Sequence, residues 1–280
     1  MSGQSDPKET VRQEWTGAAP LWKKWYEKFA AQTREGTELM VREAGVSPGM
    51  QVLDLASGTG EPALSLARAV GPRGRVVATD LVPEMLAAAR EHARGLSNME
   101  FQVADAERLP FGDAEFDRVT CRFGLMFFPE VQRALAGVRR VLKPGGRVCF
   151  AVFASLEENP GFAITMGPFL KRAKLPPPRP DAPHVFRFAD PAKLAGTLAA
   201  AGLKDTRATK HPIAWAWPGP PEEAWEATSE LAAPFKKVIA ALPPEQAKEA
   251  MGEVMAGLHR HYDGQRINLQ ATVIVGTGTA

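Results

Sequence analysis

Val52-Leu53-Asp54-Leu55-Ala56-Ser57-Gly58-Thr59-Gly60-Glu61 runs an apolar strand into a glycine turn. Pro62 behind it suits the first turn of a helix, which Gly71-Pro72 would stop after Val70. A ligand can approach the backbone closely only where side chains are missing, and the helix start offers free N–H groups. The turn therefore reads as a site for something small and partly anionic. An ordinary β–α turn that needs one positive φ would explain one glycine but not the set. Asp80 ends the next strand about 20 residues on, where an acid in a doubly wound sheet hydrogen-bonds ribose hydroxyls. An adenosine-type cofactor follows. Taken as Gly58-Thr59-Gly60-Glu61-Pro62-Ala63, the turn also fits the dinucleotide pattern, which makes NAD a rival.

The neighbouring acids weigh against NAD. Asp105, in Ala104-Asp105-Ala106 at the close of a third strand, is placed to accept from an exocyclic adenine amine, and Asp54 precedes the turn. Carboxylates without basic partners repel a pyrophosphate, whereas S-adenosylmethionine brings a sulfonium cation and an ammonium group. The charge logic favours the sulfonium cofactor.

Outward from the turn, strand-like runs alternate with helical patterns from about Met50 to Ser155, the mark of parallel α/β units. The strands read as Gln51–Leu55, Arg75–Asp80, Met99–Ala104, Phe116–Cys121 and Arg147–Phe153, mostly continuous apolar runs of the kind buried on both faces. Val131, Leu135, Val138 and Leu142 form a helical stripe ended by Lys143-Pro144-Gly145-Gly146. Twelve of the 24 prolines fall between Pro160 and Pro221, including Pro176-Pro177-Pro178, Pro180 and Pro183, which predicts few long regular elements there. Asp190-Pro191 opens a helix to about Ala201, Leu203–Trp217 alternates as a strand, and Ile267–Val275 makes a last one. The division expected is an N-terminal helical arm over 1–45, a cofactor-binding core over 46–155, and a cap and acceptor region over 156–280 with a helical insertion at about 222–258.

Composition narrows the function classes. A formal charge of +2 is too close to balance for a chain that holds nucleic acid by neutralising phosphates. Hydrophobic residues at 45% and charged residues at 24% allow a substantial core and exclude disorder as the main state. No run of about 18 apolar residues occurs and Met1 to Thr10 are polar, so neither a membrane span nor a signal peptide is expected. Cys121 and Cys149 stand apart from any second cysteine or histidine cluster, which points to reduced core thiols, a cytoplasmic setting and no metal site.

Five blocks in order resemble the class I S-adenosylmethionine-dependent methyltransferases, in the broad group around the ubiquinone and menaquinone biosynthesis C-methyltransferases. They are Asp54 to Gly60, Asp80, Ala104-Asp105-Ala106, Phe116-Asp117, and Arg140 to Gly146. The resemblance implies a Rossmann-like, doubly wound, mostly parallel sheet of seven strands, the last strand, Ile267–Val275, antiparallel and inserted beside the fifth. It implies that Ala56, Ser57 and Gly58, with Asp54 and Gly60 in the same block, handle the methionine part of the cofactor. Asp80 would take the ribose, Leu81 pack on the adenine, and Asp105 with the Ala106 N–H read the adenine edge. Arg122 and Phe123 would lie near the methyl group, and Trp22 on the arm would fold over the cofactor. Two departures stand out. Ala56 replaces the commoner first glycine, and Val152 and Ala154 stand where the quinone enzymes are expected to carry Glu and Ser.

Methyl transfer from a sulfonium is an in-line displacement whose product is S-adenosylhomocysteine, and a site contributes mainly position and dryness. A base is optional, with His211, His259 and His261 as candidates and His92 expected to face solvent. Phe127 and Phe128 after the fourth strand, with Trp215 and Trp217 on a late one, suggest an aromatic pocket for a small, partly apolar acceptor. An NAD-dependent oxidoreductase is left without a Ser-Tyr-Lys set, since neither Tyr26 nor Tyr262 has Lys four residues on. A non-catalytic ligand-binding protein on the same fold is the third alternative. Oligomeric state has no signature in the sequence.

Overall fold

Three helices open the chain in the computed structural model, which describes residues 7–173, 179 and 181–280. They are α1 (Pro7–Lys24), α2 (Tyr26–Gln32) and α3 (Arg34–Glu43). The parallel block follows as β1 (Gln51–Leu55), α4 (Ala63–Val70), β2 (Arg75–Asp80), α5 (Pro83–His92), β3 (Met99–Val103), β4 (Phe116–Arg122), α6 (Val131–Val141) and β5 (Leu142–Phe153). The remainder is α7 (Pro160–Ala173), α8 (Pro191–Ala200), β6 (Lys204–Ala214), three helices α9 (Pro221–Leu231), α10 (Ala233–Ala240) and α11 (Pro244–His259), and β7 (Gln270–Thr279).

The seven strands form one sheet in the order β3-β2-β1-β4-β5-β7-β6. β1 to β5 pair in parallel, while β7 runs antiparallel to both β5 and β6. The fold is Rossmann-like, and its chain reverses direction of travel between β1 and β4, where open sheets bind ligands at the strand ends. Alternation along the buried strands sorts their side chains. Val52, Val76 and Ala78 pack with Ala63, Leu66 and Val70 of α4, and Leu53, Leu55 and Val77 join Leu135, Val138 and Val141 of α6. Both free thiols, Cys121 and Cys149, are buried, and burial pushes Cys149 up to about 12.

Three expectations are corrected. Leu142 is not the last turn of the helical stripe but the first residue of β5, opposite Phe116 on β4, and the Lys143–Gly146 stop lies inside that strand. β7 starts at Gln270 and runs past Val275 to Thr279, with Ile267 left to isolated bridges to Trp217 and Tyr262. Its end, Gly276-Thr277-Gly278, has a loop-like composition, but a side chain at Gly276 would meet Leu194 and Leu198 of α8 at 2.6 Å and 3.3 Å. Close packing of a helix on the strand, not local propensity, decides that segment.

The proline-rich stretch holds a 14-residue helix, α7, with Pro168 inside it. Prolines here mark starts more than stops: Pro160, Pro191, Pro221 and Pro244 are each the first residue of a helix, where a missing N–H costs nothing. Asp190 caps α8 by accepting from the Ala192 N–H at 2.9 Å. Pro176, Pro177, Pro178 and Pro180 lie outside the described residues. α7, α9, α10 and α11 share a second apolar cluster around Phe169, Phe235, Val254 and Leu258, and this cluster roofs the strand ends.

Candidate functional site

The glycine turn leaves β1 through two left-handed residues, Ala56 (φ 50°) and Gly58 (φ 53°), and its two glycines serve different needs. A side chain at Gly58 would meet nothing within 4 Å and would project into open space, whereas one at Gly60 would strike Leu64 at 2.8 Å and approach the Ala89 backbone at 3.6 Å. Gly58 keeps a cradle empty, and Gly60 lets the turn seat against α4 and α5. Asp54 lies beneath, fully buried, with its carbonyl accepting from Ser57 and Thr79 hydroxyls and its Oδ1 accepting from Thr120 at 2.6 Å. Its Oδ2 has no partner among the described residues, and burial pushes the carboxyl up to about 7 against the pull of the Thr120 hydroxyl.

Asp80, at the end of β2, clips the turn in place: its Oδ2 accepts from the Gly58 N–H and its Oδ1 from the Val82 N–H, each at 2.9 Å. Burial raises its pKa and these two N–H bonds pull it back. Asp105 stands past the end of β3 with Oδ1 accepting from the Glu107 N–H. Its Oδ2 lies 2.7 Å from the Lys8 ammonium, which also reaches Glu107. The expectation of acids without basic partners is corrected here, yet one lysine between two carboxylates leaves the corner net negative.

Arg122 ends β4 and donates to Thr33 and Thr37 hydroxyls at 2.8 Å and 2.6 Å and to the Glu61 carbonyl at 3.0 Å. No carboxylate lies within ion-pair reach among the described residues, and burial lowers its pKa. Phe123 follows with φ 60°, a left-handed conformation held by its N–H on the Ala151 carbonyl and by its ring lying flat on Phe153 at 4.2 Å. Phe153 in turn meets Trp215 edge-on at 5.6 Å and Phe162 at 4.9 Å, and Phe162 meets Phe186. Edge-to-face contacts lock these rings into one wall.

The N-terminal arm closes the opposite side. Trp15 meets Phe127 at 5.5 Å, Trp22 meets Phe29 at 4.8 Å, and the Trp22 Nε1 is buried without a partner among the described residues. Ion pairs tie the arm to the core through Lys23–Glu91 and to the cap through Lys24–Glu226, Lys28–Glu223 and Lys237–Glu14. His92 is corrected from solvent-facing to half-buried, since Tyr26 stacks on it at 3.5 Å and its Nδ1 lies 2.8 Å from the Thr59 carbonyl.

Arm, turn and cap enclose a cavity of about 790 Å³. Ala56, Ser57, Gly58, Asp80, Leu81, Asp105 and Ala106 line it, as do Arg122, Phe123 and Trp22. Phe127, Phe128, Trp215 and Trp217 line it too, although Trp217 is nearly buried and its indole N–H donates to Glu223. Asp54 and Gly60 do not line it; they shape the turn from behind. Nor do the three candidate bases. His211 pairs with Thr209 on β6, His259 sits 3.3 Å from Glu222, and His261 borders a separate surface depression. The histidine that does line the cavity is His184. Lys8, Phe153, Phe162, Gly124 and His184 were not singled out as site residues from sequence, and only the aromatic ones carried a signal.

A methyltransferase-domain family profile matches residues 52–146, about a third of the chain. The chain is 45% identical over 115 residues to the ubiquinone/menaquinone biosynthesis C-methyltransferase UbiE of Bordetella avium. Over this stretch the chain is similar to methyltransferase domains. The match takes in 41% of this chain and 45% of that relative, so it spans under half of the relative's length. Among solved structures, the [4+2]-cyclase SpnF shares the fold at a TM-score of 0.56 and 19% identity, covering 96% of this chain and 95% of that one. Phosphoethanolamine N-methyltransferase 2 of Haemonchus contortus, solved with S-adenosyl-L-methionine, does so at 0.53 and 16%, covering 87% and 52%. At such identities the likeness is one of fold.

The site fits S-adenosylmethionine on two observations. The Gly58 cradle would be filled by any side chain, and Asp80 and Asp105 present acceptors along one wall. Among the described residues no helix is long and apolar enough to cross a membrane.

Proposed function

We propose that the protein is an S-adenosylmethionine-dependent methyltransferase that acts on a small, partly apolar or aromatic acceptor by in-line methyl transfer and releases S-adenosylhomocysteine. The observation that carries this reading is the continuity of one cavity from the acidic turn to the aromatic wall of Phe123, Phe153, Phe162 and Trp215. A donor site alone would need only the first half.

In this reading Asp80 holds the ribose hydroxyls, Leu81 packs on the adenine, Asp105 and the Ala106 N–H meet its edge, and Ala56, Ser57 and Gly58 bind the methionine end through backbone groups. Arg122 supplies positive charge for a carboxylate, and Trp22 closes over the site from the arm. The cofactor, when bound, supplies an electrophilic methyl group on a positively charged sulfur. The chain's own contribution is to orient the acceptor between aromatic faces and to exclude water, through the arm and the helices α7, α9, α10 and α11.

The likeness to quinone C-methyltransferases takes in 41% of the chain, so the acceptor is argued from the cavity and not from those relatives. Incubation with methyl-labelled S-adenosylmethionine and a panel of phenols, naphthols and aryl amines tests the proposal. Label transferred to an aromatic acceptor, and abolished by Asp80→Ala, is expected. Label transfer to none of the panel would overturn the acceptor class.

A further inference from the structure

His184 lines the cavity from the cap side, and among the described residues after residue 155 it is the only titratable one in the lining. The others there are apolar or aromatic apart from Thr165, whose hydroxyl donates to the Gly161 carbonyl, Thr228 and two indoles. Every other charged lining group among the described residues has employment elsewhere: Lys8 with Asp105 and Glu107, Arg12 with Glu9, Glu14 with Lys237, Glu61 with Arg68 and the Ser65 N–H, Arg122 with Thr33, Thr37 and the Glu61 carbonyl, Asp80 with the turn.

The ring of His184 is set by its neighbours. Its Nδ1 accepts from the Phe186 N–H at 3.2 Å, so the neutral ring carries its proton on Nε2. Nε2 has no partner among the described residues. Partial burial, with the cations Lys193 and Arg187 nearby, disfavours a second proton and holds the ring neutral. The position beside the aromatic wall is fixed on two sides. Phe186 meets Phe162 edge-on at 5.7 Å, and Arg187 donates to the Phe128 carbonyl at 2.6 Å.

We propose that His184 is the hydrogen-bond donor that orients the methyl acceptor, its Nε2–H binding an oxygen of an aromatic acceptor held against Phe162 and Phe186. The inference rests on the methyltransferase reading and adds the acceptor's oxygen to it. His184 does not act as the base. With its proton on Nε2 it offers a donor to the cavity, and its one free lone pair is already spent on the Phe186 N–H.

The test is calorimetric titration of the full chain, saturated with S-adenosylhomocysteine, with 1-naphthol and with naphthalene, for wild type, His184→Gln and His184→Phe. Wild type should prefer 1-naphthol. His184→Phe should bind naphthalene unchanged and lose about fivefold in 1-naphthol affinity, the worth of one neutral hydrogen bond, while His184→Gln, which keeps a donor at the Nε2 position, should recover most of it. Equal losses for both probes, equal affinities in wild type, or no loss in His184→Phe would overturn the inference. S-adenosylhomocysteine binding serves as the separate control. Failure of all three proteins to bind it sinks the methyltransferase reading and the inference with it, whereas its retention isolates the result to His184.

Discussion

Lys8 and Asp105, 97 positions apart in sequence, meet at 2.7 Å across the mouth of the cavity, so the arm is fastened to the carboxylate proposed to read the adenine edge. The same ammonium also neutralises Glu107, which is 5% exposed and spends its other oxygen on the Glu130 N–H at 2.7 Å.

Removing Lys8 leaves Glu107 a buried charge without its cation, which is costlier than losing a surface pair. Lys8→Met should therefore destabilise by about 1–2 kcal/mol, and Lys8→Met with Glu107→Gln by less than the sum of the two single changes. Urea unfolding of the four proteins measures the coupling. Strict additivity would mean that Lys8 and Glu107 contribute to stability independently of one another.

Ala56 holds φ at 50° and Gly124 packs on it so closely that a side chain there would stand 2.6 Å from the Ala56 Cβ and 2.7 Å from Cys121 Sγ. A left-handed alanine costs roughly 1–2 kcal/mol, offset in part by the greater unfolded-state freedom of glycine. Ala56→Gly should stabilise by up to about 1 kcal/mol. Gly124→Ala should destabilise by about 1–3 kcal/mol. Combining the two should recover part of that loss, because one of the two clashes disappears. Thermal unfolding of the set checks both signs; destabilisation by Ala56→Gly would contradict the account of the strained turn.

The Asp54 carboxyl titrates near 7 in the folded protein against 3.8 for an ordinary aspartate, because burial disfavours its charge. The folded state holds the proton more tightly, so this group's stabilisation is full below about pH 4 and is lost as pH rises towards 7. Asp54→Asn removes that dependence. Relative to the variant, wild type should lose on the order of 2 kcal/mol between pH 5 and pH 7.5 in urea unfolding. Parallel profiles would show that Asp54 stays ionised throughout.

Much of this was legible in advance where local pattern and burial agree. β1, β2 and the second half of β5 hold short apolar runs, β4 keeps Phe116, Val119 and Cys121 among polar residues, and the turn with Asp80 and Asp105 follows from the spacing of these strands. Seven strands in one sheet, with the last antiparallel beside the fifth, came from the resemblance and agree with the pairing found. Misreadings fall where tertiary packing overrides local signals. α7 tolerates Pro168 because that residue is buried in the cap, and β7 runs through Gly276 because α8 needs the space. Lys8 had no local signal at all, since its partners lie some hundred residues away. Among the histidines, spacing favoured those near strands, but β6 is the edge strand of the sheet and carries His211 away from the cavity, while an irregular segment brings His184 in.

The most direct test of the account is calorimetric titration of the purified protein with S-adenosylmethionine, S-adenosylhomocysteine and NAD, with Asp80→Ala beside the wild type. The account predicts binding of both sulfur nucleosides at micromolar concentration, lost or weakened at least tenfold in Asp80→Ala, and no binding of NAD. Binding of NAD alone, or nucleoside binding indifferent to Asp80, would contradict it.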